Sequence, residues 1–207
     1  MRPDTEMEPT LPTVCAIISQ RRTPSATMAS VHACELPDDA LLRTYLSGGA
    51  YADCYVTELA GSVSHAEYVE AFYTTAVFKL ERQLLSWFVA RPSTDRQAGE
   101  LASGKLASFA AWSVEARGPN QVLLSDFQGR TRSWLMIAPA ADNQSTRLFF
   151  GSAVVPVLNR RTGEARMGTV FRALLGFHKL YSRVLLRAAV TRLARSSPLS
   201  NEPRRDA

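Results

Sequence analysis

The sequence predicts a single α+β domain in which an antiparallel sheet packs against a long C-terminal helix. Over residues 168–195 apolar side chains recur at steps of three and four, the spacing of an amphipathic helix. Between residues 106 and 155 the apolar period falls to two, in segments separated by short turns, which is typical of an antiparallel meander. A chain of 207 residues with 46% hydrophobic content is long enough for one well-buried core and short for two.

The folded part is predicted to be one domain over residues 26–196. Residues 1–25 mix prolines with charged residues, a composition that buries little apolar surface, so we expect a flexible leader. A short strand over 28–36 and a short helix over 40–46 should follow. At the other end, residues 197–207 are expected to be a disordered tail.

A strand over residues 51–59 and a pair of helices come next. Ser64 and Glu67 have the spacing of a capping box, in which each side chain binds the other residue's backbone amide, so a helix should begin there. Its apolar stripe continues toward Pro92, where the proline must end it. A second, shorter helix is predicted to run through Leu101.

The meander is predicted to contain four strands, at residues 108–117, 121–127, 130–139 and 146–155. Their connections are short, which makes consecutive strands antiparallel neighbours. A polar, arginine-rich loop over 156–168 should then lead to the final helix.

The final helix is predicted to bury one face and to expose a basic one. Its apolar stripe consists of Phe171, Leu174, His178, Tyr181, Leu185 and Ala188, widened by Val170, Phe177 and Val184. The basic stripe on the opposite side consists of Arg172, Lys179, Arg183 and Arg187. This basic stripe has three interpretations: a solvated outer face, contact with anionic lipid head groups, or nucleic-acid binding, for which the sequence carries no recognition motif.

Charge and cysteine usage limit the class of protein. The net charge is +5, and from Arg160 onward eleven basic and three acidic residues give +8, which leaves −3 for the rest. Cys15, Cys34 and Cys54 are odd in number and lack metal-ligand spacing, which argues against a disulfide framework and a structural zinc site. We therefore expect no metal or cofactor and a reduced, cytoplasmic setting. Neither a signal peptide nor an apolar run of membrane-spanning length is recognisable.

The order of these elements, and the segment FHKLYSRVLLRAAVTRL at residues 177–193, resemble the SRPBCC superfamily, which contains START-type lipid-transfer and birch-pollen-allergen-like proteins. The segment resembles the closing helix of uncharacterised bacterial members, and the resemblance covers residues 51–195. It implies a helix-grip fold: a curved antiparallel sheet wrapped around the final helix, with a cavity between them that often takes an apolar ligand. Fewer strands are recognisable than the family usually has, and the superfamily offers no common catalytic motif to carry over.

Seven side chains are candidates for binding a ligand in such a cavity: Trp112, Asp126, Arg132, Trp134, Phe150, His178 and Tyr181. Each has a plainer alternative. The aromatic residues could be ordinary core. Asp126 and Arg132 lie opposite each other if the turn at Gly129 has three residues, and could then form a solvated ion pair. His178 could be a general acid or base, or a core histidine whose hydrogen bonds are satisfied.

The expected function is therefore the binding of a hydrophobic or amphipathic small molecule, such as a fatty acid or sterol, between the sheet and the C-terminal helix. A cyclase- or hydratase-type enzyme that uses the same cavity is the alternative. A structural or interaction protein without an open cavity is the third possibility. Weak contact of the basic stripe with an anionic membrane surface is a further expectation, and nucleic acid is not an expected partner.

Overall fold

The computed structural model describes residues 30–47, 50–80, 93–158, 165–166 and 169–196. Within these ranges, side chains are described up to residue 156 and again from residue 179 onward. The predicted leader and tail lie outside the described residues, as does the predicted helix end at Pro92. Those expectations stay predictions.

The described chain is an α+β fold built on a seven-stranded antiparallel sheet with the strand order β1-β2-β7-β6-β5-β4-β3. The strands are β1 (His32–Ala33), β2 (Tyr51–Ala60), β3 (Ser108–Phe109), β4 (Trp112–Arg117), β5 (Gln121–Asp126), β6 (Thr131–Pro139) and β7 (Ser145–Val154). Two further strands, β8 (Val157–Leu158) and β9 (Ala165–Arg166), pair with each other inside the predicted polar loop. The helices are α1 (His65–Tyr73), α2 (Asp95–Ala102) and α3 (Thr169–Ser196). No helix in the described ranges is both long and apolar enough to cross a membrane.

Two predicted strands are shorter than expected. Of the predicted strand 28–36 the structure describes residues 30–36, and within these His32–Ala33 pairs with β2. The predicted strand 108–117 is divided by a tight reversal at Ala110, whose φ of 52° is in the left-handed region, so that Phe109 lies opposite Trp112 on the next strand. Apolar residues stand on both sides of this turn, so the sequence pattern passes through it without a break.

The first long helix begins as predicted and is interrupted after Tyr73. Ser64 Oγ accepts from the backbone N–H of Glu67, and Glu67 Oε2 accepts from that of Ser64, which completes the capping box. The predicted continuous helix toward Pro92 is wrong, because α1 ends at Tyr73. Thr75 Oγ1 donates to Phe72 O and accepts from Phe78 N, so its hydroxyl replaces helical backbone bonds before helical structure resumes at residues 76–80.

The sheet is buried on both faces. Leu148, Phe149 and Phe150 are consecutive on β7 and all buried, although neighbouring side chains of a strand point to opposite sides. One face, here called the helix face, packs against α1, α2 and α3. The other, here called the outer face, is covered by residues 34–46, which include a 3-10 helix at Leu41–Tyr45.

Gln121 fastens this N-terminal cover to the outer face. Its Oε1 accepts from Leu41 N at 2.9 Å and from Trp134 Nε1 at 2.8 Å, and its Nε2 donates to Asp39 O at 2.9 Å. Gln121 is itself buried, so these bonds satisfy polar groups that would otherwise be costly in the core.

The buried face of α3 is rotated by about one residue from the predicted stripe. From residue 179 onward, where its side chains are described, the buried ones are Ser182, Leu185, Leu186, Ala189, Val190 and Leu193. Val184, which the prediction placed in the apolar stripe, is 37% exposed. The predicted stripe continues the apolar spacing of the first half of the helix. In the second half, the buried face is formed by the consecutive apolar residues Leu185-Leu186 and Ala189-Val190. Arg183 and Arg187 are exposed, as predicted.

We expect Gly151→Ala to destabilise the domain. A Cβ on Gly151 would lie 2.9 Å from Leu42 Cδ2 and from Trp134 Cε3, on the packed outer face. Overpacking of this kind costs about 1–3 kcal/mol. The same change at Gly99 in α2 meets only the Glu70 carboxyl at 3.6 Å and should stabilise by about 0.5–1 kcal/mol through helix propensity. Denaturant unfolding measures the change in the free energy of unfolding for each variant. An equal loss of stability at Gly151 and Gly99 would refute the tight contact at Gly151.

A second expectation concerns α3. Leu186 is fully buried, so Leu186→Ala should lower the free energy of unfolding by about 2–5 kcal/mol. Leu180 is 59% exposed on the same helix, and Leu180→Ala should change it by less than about 0.5 kcal/mol. The reverse order in a denaturant titration would mean that the helix presents a different face to the sheet.

Candidate functional site

A cleft opens on the helix face, between α1, α3 and the two hairpins β3-β4 and β5-β6. Its volume is about 270 Å³. The apolar residues that line it are Phe72, Phe78, Ala111, Trp112, Phe127, Phe150 and Leu185. Phe72 packs against two other lining residues. The centre of its ring lies 4.8 Å from that of Phe150 and 6.4 Å from that of Phe78.

The floor of the cleft carries a short row of polar side chains that crosses three strands. Ser133 on β6 is opposite Ser152 on β7, and Ser152 is opposite Asp53 on β2. Ser152 Oγ donates to Asp53 Oδ1 at 2.7 Å, and Ser133 Oγ shares a hydrogen bond of 3.2 Å with Tyr73 OH. We call Ser133, Ser152 and Asp53 the polar row. Ser133 and Ser152 line the cleft, and Ser182 faces it from α3.

The Asp53 end of the polar row is electrostatically negative. Burial, and secondarily the Asp53 carboxylate, raise the pKa of Tyr51 to about 12, and the same two causes raise the pKa of Tyr55. The Arg183 guanidinium lies 5.3 Å from the centre of the Tyr55 ring. Both tyrosines therefore stay neutral at physiological pH.

The structure brings five of the seven candidate residues to the lining of this cleft: Trp112, Asp126, Arg132, Phe150 and Tyr181. Asp126 stands at the β5-β6 turn, where its Oδ1 accepts from the backbone N–H groups of Arg130 and Thr131 at 2.7 and 3.1 Å. Tyr181 is half-buried on α3. Whether any of the five binds a ligand remains a prediction.

Arg132 lines the cleft but its guanidinium is bound on the outer side, and Trp134 lies on the opposite face of the sheet. The predicted pairing of Asp126 with Arg132 is wrong, because Ser125 lies opposite Arg132 and the two charged side chains fall on opposite faces. Arg132 touches the cleft lining, but its Nε lies 2.7 Å from Tyr45 OH and 2.6 Å from Glu115 Oε2 on the outer side. Trp134 is fully buried in the outer-face core. Its ring is therefore not part of this cleft.

His178 belongs to α3, but the structure does not describe its side chain. Its candidate role therefore stays a prediction. Among the described residues, no group of three His, Cys, Asp or Glu side chains is placed to hold a metal ion.

The two serines of the polar row, Ser133 and Ser152, are not among the candidates predicted from the sequence. A signal was present, because Ser133 and Ser152 interrupt otherwise apolar strand segments, in RSWL and GSAV. Their alignment across β6 and β7 depends on the strand register, which no single segment reveals.

His65 is a buried titratable group outside the cleft lining, at the start of α1. Burial, opposed by a backbone hydrogen bond at Leu135 and assisted by the nearby Arg117 charge, lowers the pKa of His65 to about 4. The folded protein therefore keeps His65 neutral over a range in which the unfolded chain binds a proton.

No protein-family model matches the chain, and no curated protein or solved structure is significantly similar to it.

The depressed pKa of His65 predicts a loss of stability in mild acid. Between its ordinary value of 6.5 and about 4, the unfolded state binds one more proton, so this histidine's contribution to stability falls as the pH is lowered. The full loss is about 3 kcal/mol. His65→Gln should flatten this part of a pH series of unfolding free energies, whereas His32→Gln, at an exposed position, should not. An unchanged slope in His65→Gln would contradict the account.

Proposed function

We propose that this chain binds an amphipathic small molecule in the cleft between the sheet and α3. The observation that carries the proposal is the contrast between the apolar walls and the polar row at the floor. Mostly apolar cavities with a few convergent polar groups are the usual form of small-molecule sites. The volume of about 270 Å³ lies just below the usual range of about 300–1,000 Å³, which favours a medium-length acyl chain over a sterol.

The proposal includes a helix-grip arrangement of the SRPBCC type. Its support is topological: β2 pairs along its whole length with β7, so the first long strand lies beside the last one. This pairing lets α1, which follows β2, and α3, which follows the meander, contact each other over the same face of the sheet. The proposed ligand occupies the gap that these helices leave between them and the β5-β6 hairpin.

The polar row favours a neutral head group. Ser152 donates its only hydroxyl proton to Asp53, so toward a ligand it can act only as a hydrogen-bond acceptor. Asp53 behind it and Asp126 at the turn both disfavour an anion. Of the two nearby arginines, Arg132 is held on the outer side by Glu115, and Arg183 lies over Tyr55. A hydroxyl group therefore fits this floor better than a carboxylate.

An enzymatic role has less support from the same geometry. Acid-base catalysis needs a titratable group within reach of the substrate. No histidine side chain described in the structure lines the cleft. Ser152 Oγ donates its proton to the Asp53 carboxylate, and no histidine is shown beside it as in a serine-histidine nucleophile pair among the described side chains. The cyclase or hydratase alternative would have to use Asp126, Tyr181 or His178 as its acid or base.

A thermal-shift comparison of decanol with decanoate tests the proposal. At about ten times its Kd, a ligand that binds only the folded state adds about 1.4 kcal/mol, a shift of about 3–6 °C in Tm. We expect decanol to raise Tm and decanoate to have a smaller effect. Tyr181→Trp, which fills the cleft, should reduce the decanol shift. Leu180→Trp is the matched control, because Leu180 is exposed beside it.

The outcomes separate the possibilities. Equal loss of the shift in both tryptophan variants would place the binding site elsewhere. No shift with any alcohol or acid of this length would contradict the binding proposal and favour a structural role. A larger shift with decanoate would keep the cleft and overturn the argument for a neutral head group.

A further inference from the structure

Two of the three cysteines lie side by side, although twenty positions separate them in the chain. Cys34 Sγ is 3.2 Å from Cys54 Sγ, and Cys34 N donates to Cys54 O at 3.0 Å. The register of β1 on β2 accounts for this: Ala33 is opposite Tyr55, so the next residue comes opposite Cys54. Cysteine count and spacing could not indicate such a pair, because the contact depends on a two-residue strand at the sheet edge.

The two thiols have different surroundings. Cys54 is 3% exposed in the outer-face core, whereas Cys34 is partly exposed. The hydrogen bond from Cys54 lowers the pKa of Cys34, with help from the charge of Arg147, while burial acts against it. The hydrogen bond to Cys34, together with burial, raises the pKa of Cys54. Cys34 is therefore the thiol that ionises first. In the neutral pair Cys34 Sγ donates to Cys54 Sγ, and the Cys54 thiol becomes the donor once Cys34 is a thiolate.

Arg147 supplies the positive charge near the pair. It belongs to β7, next to β2, and its guanidinium lies 4.8 Å from the centre of the Phe149 ring on the outer face. Its Nε is 3.9 Å from Glu58 Oε1, a long contact between partly exposed groups that leaves much of the arginine's charge uncompensated. An exposed thiol beside a cation and a second thiol is the usual setting of an oxidisable cysteine.

We infer that Cys34 and Cys54 form a dithiol that a hydroperoxide oxidises to a disulfide. The Cys34 thiolate attacks one peroxide oxygen, the O–O bond breaks, and Cys34 becomes a sulfenic acid while the other oxygen leaves as water after taking a proton. The Cys54 sulfur then attacks Cys34 Sγ, and the hydroxyl group leaves with the Cys54 proton as a second water. Two thiols lose two electrons and two protons, and hydrogen peroxide is reduced to two waters.

The bond would fasten the start of the N-terminal cover to the sheet. Cys34 opens the segment 34–46 that packs on the outer face, and Cys54 lies in the middle of β2. A disulfide here closes a loop of about twenty residues, which restricts the unfolded chain and raises Tm by several degrees. The inference rests on the outer face and is independent of the ligand proposed for the cleft.

Mass spectrometry of the full-length Cys15→Ser chain tests the inference. The reduced, folded protein is treated with equimolar hydrogen peroxide, quenched, unfolded in N-ethylmaleimide and weighed intact. We expect a chain lighter by two hydrogens that takes up no maleimide, and a chain that takes up two after dithiothreitol. Cys54→Ala in the same background should instead leave a sulfenic acid that a cyclic diketone probe captures.

Three results would overturn the inference. The first is uptake of two maleimides after a peroxide dose that fully oxidises free glutathione. The second is a disulfide only between chains. The third is a sulfinic acid on Cys34 with Cys54 still alkylated. If oxidation leaves Tm unchanged or lowers it, the disulfide does not clamp the N-terminal cover.

Discussion

The sheet of this protein has to be covered on both faces, and the rest of the structure follows from that constraint. Central strands carry apolar side chains at consecutive positions, as in the buried run Leu148, Phe149 and Phe150 on β7. An antiparallel sheet with one solvated face would alternate apolar and polar residues instead. The three helices supply one cover, and residues 34–46 supply the other, fastened by the buried amide of Gln121.

The two covers differ in how completely they close. On the outer face, Gly151 lets Leu42 and Trp134 approach the backbone closely. On the helix face, α1 ends at Tyr73, and the cleft lies above Ser133 and Ser152. We attribute the proposed binding to the helix face and the proposed thiol chemistry to the edge of the outer cover.

Features set by neighbouring residues were predictable from the sequence. The capping box of Ser64 with Glu67, the strands of the meander and the long final helix all depend on local spacing.

Features set by long-range strand register were not predictable from the sequence. Asp126 accepts two backbone N–H groups and so supports a four-residue turn, one residue longer than assumed, and that single residue turns Arg132 to the opposite face. The pairing of β2 with β7 and the contact of Cys34 with Cys54 also join distant segments. For the candidate site, aromatic residues were recognisable as a class, but only the strand register separates Trp112 from Trp134.

These two tryptophans provide the most direct test of the claim that the cleft binds an amphiphile. Trp112 lines the cleft, whereas the Trp134 indole donates to Gln121 on the other side of the same sheet. The indole N–H signals can be followed in a nitrogen-15 NMR titration with decanol, after assignment by Trp→Phe substitution. The account predicts that the Trp112 signal shifts in a saturable manner while the Trp134 signal stays in place. A stationary Trp112 signal at saturating decanol, or a shift of Trp134 alone, would contradict it.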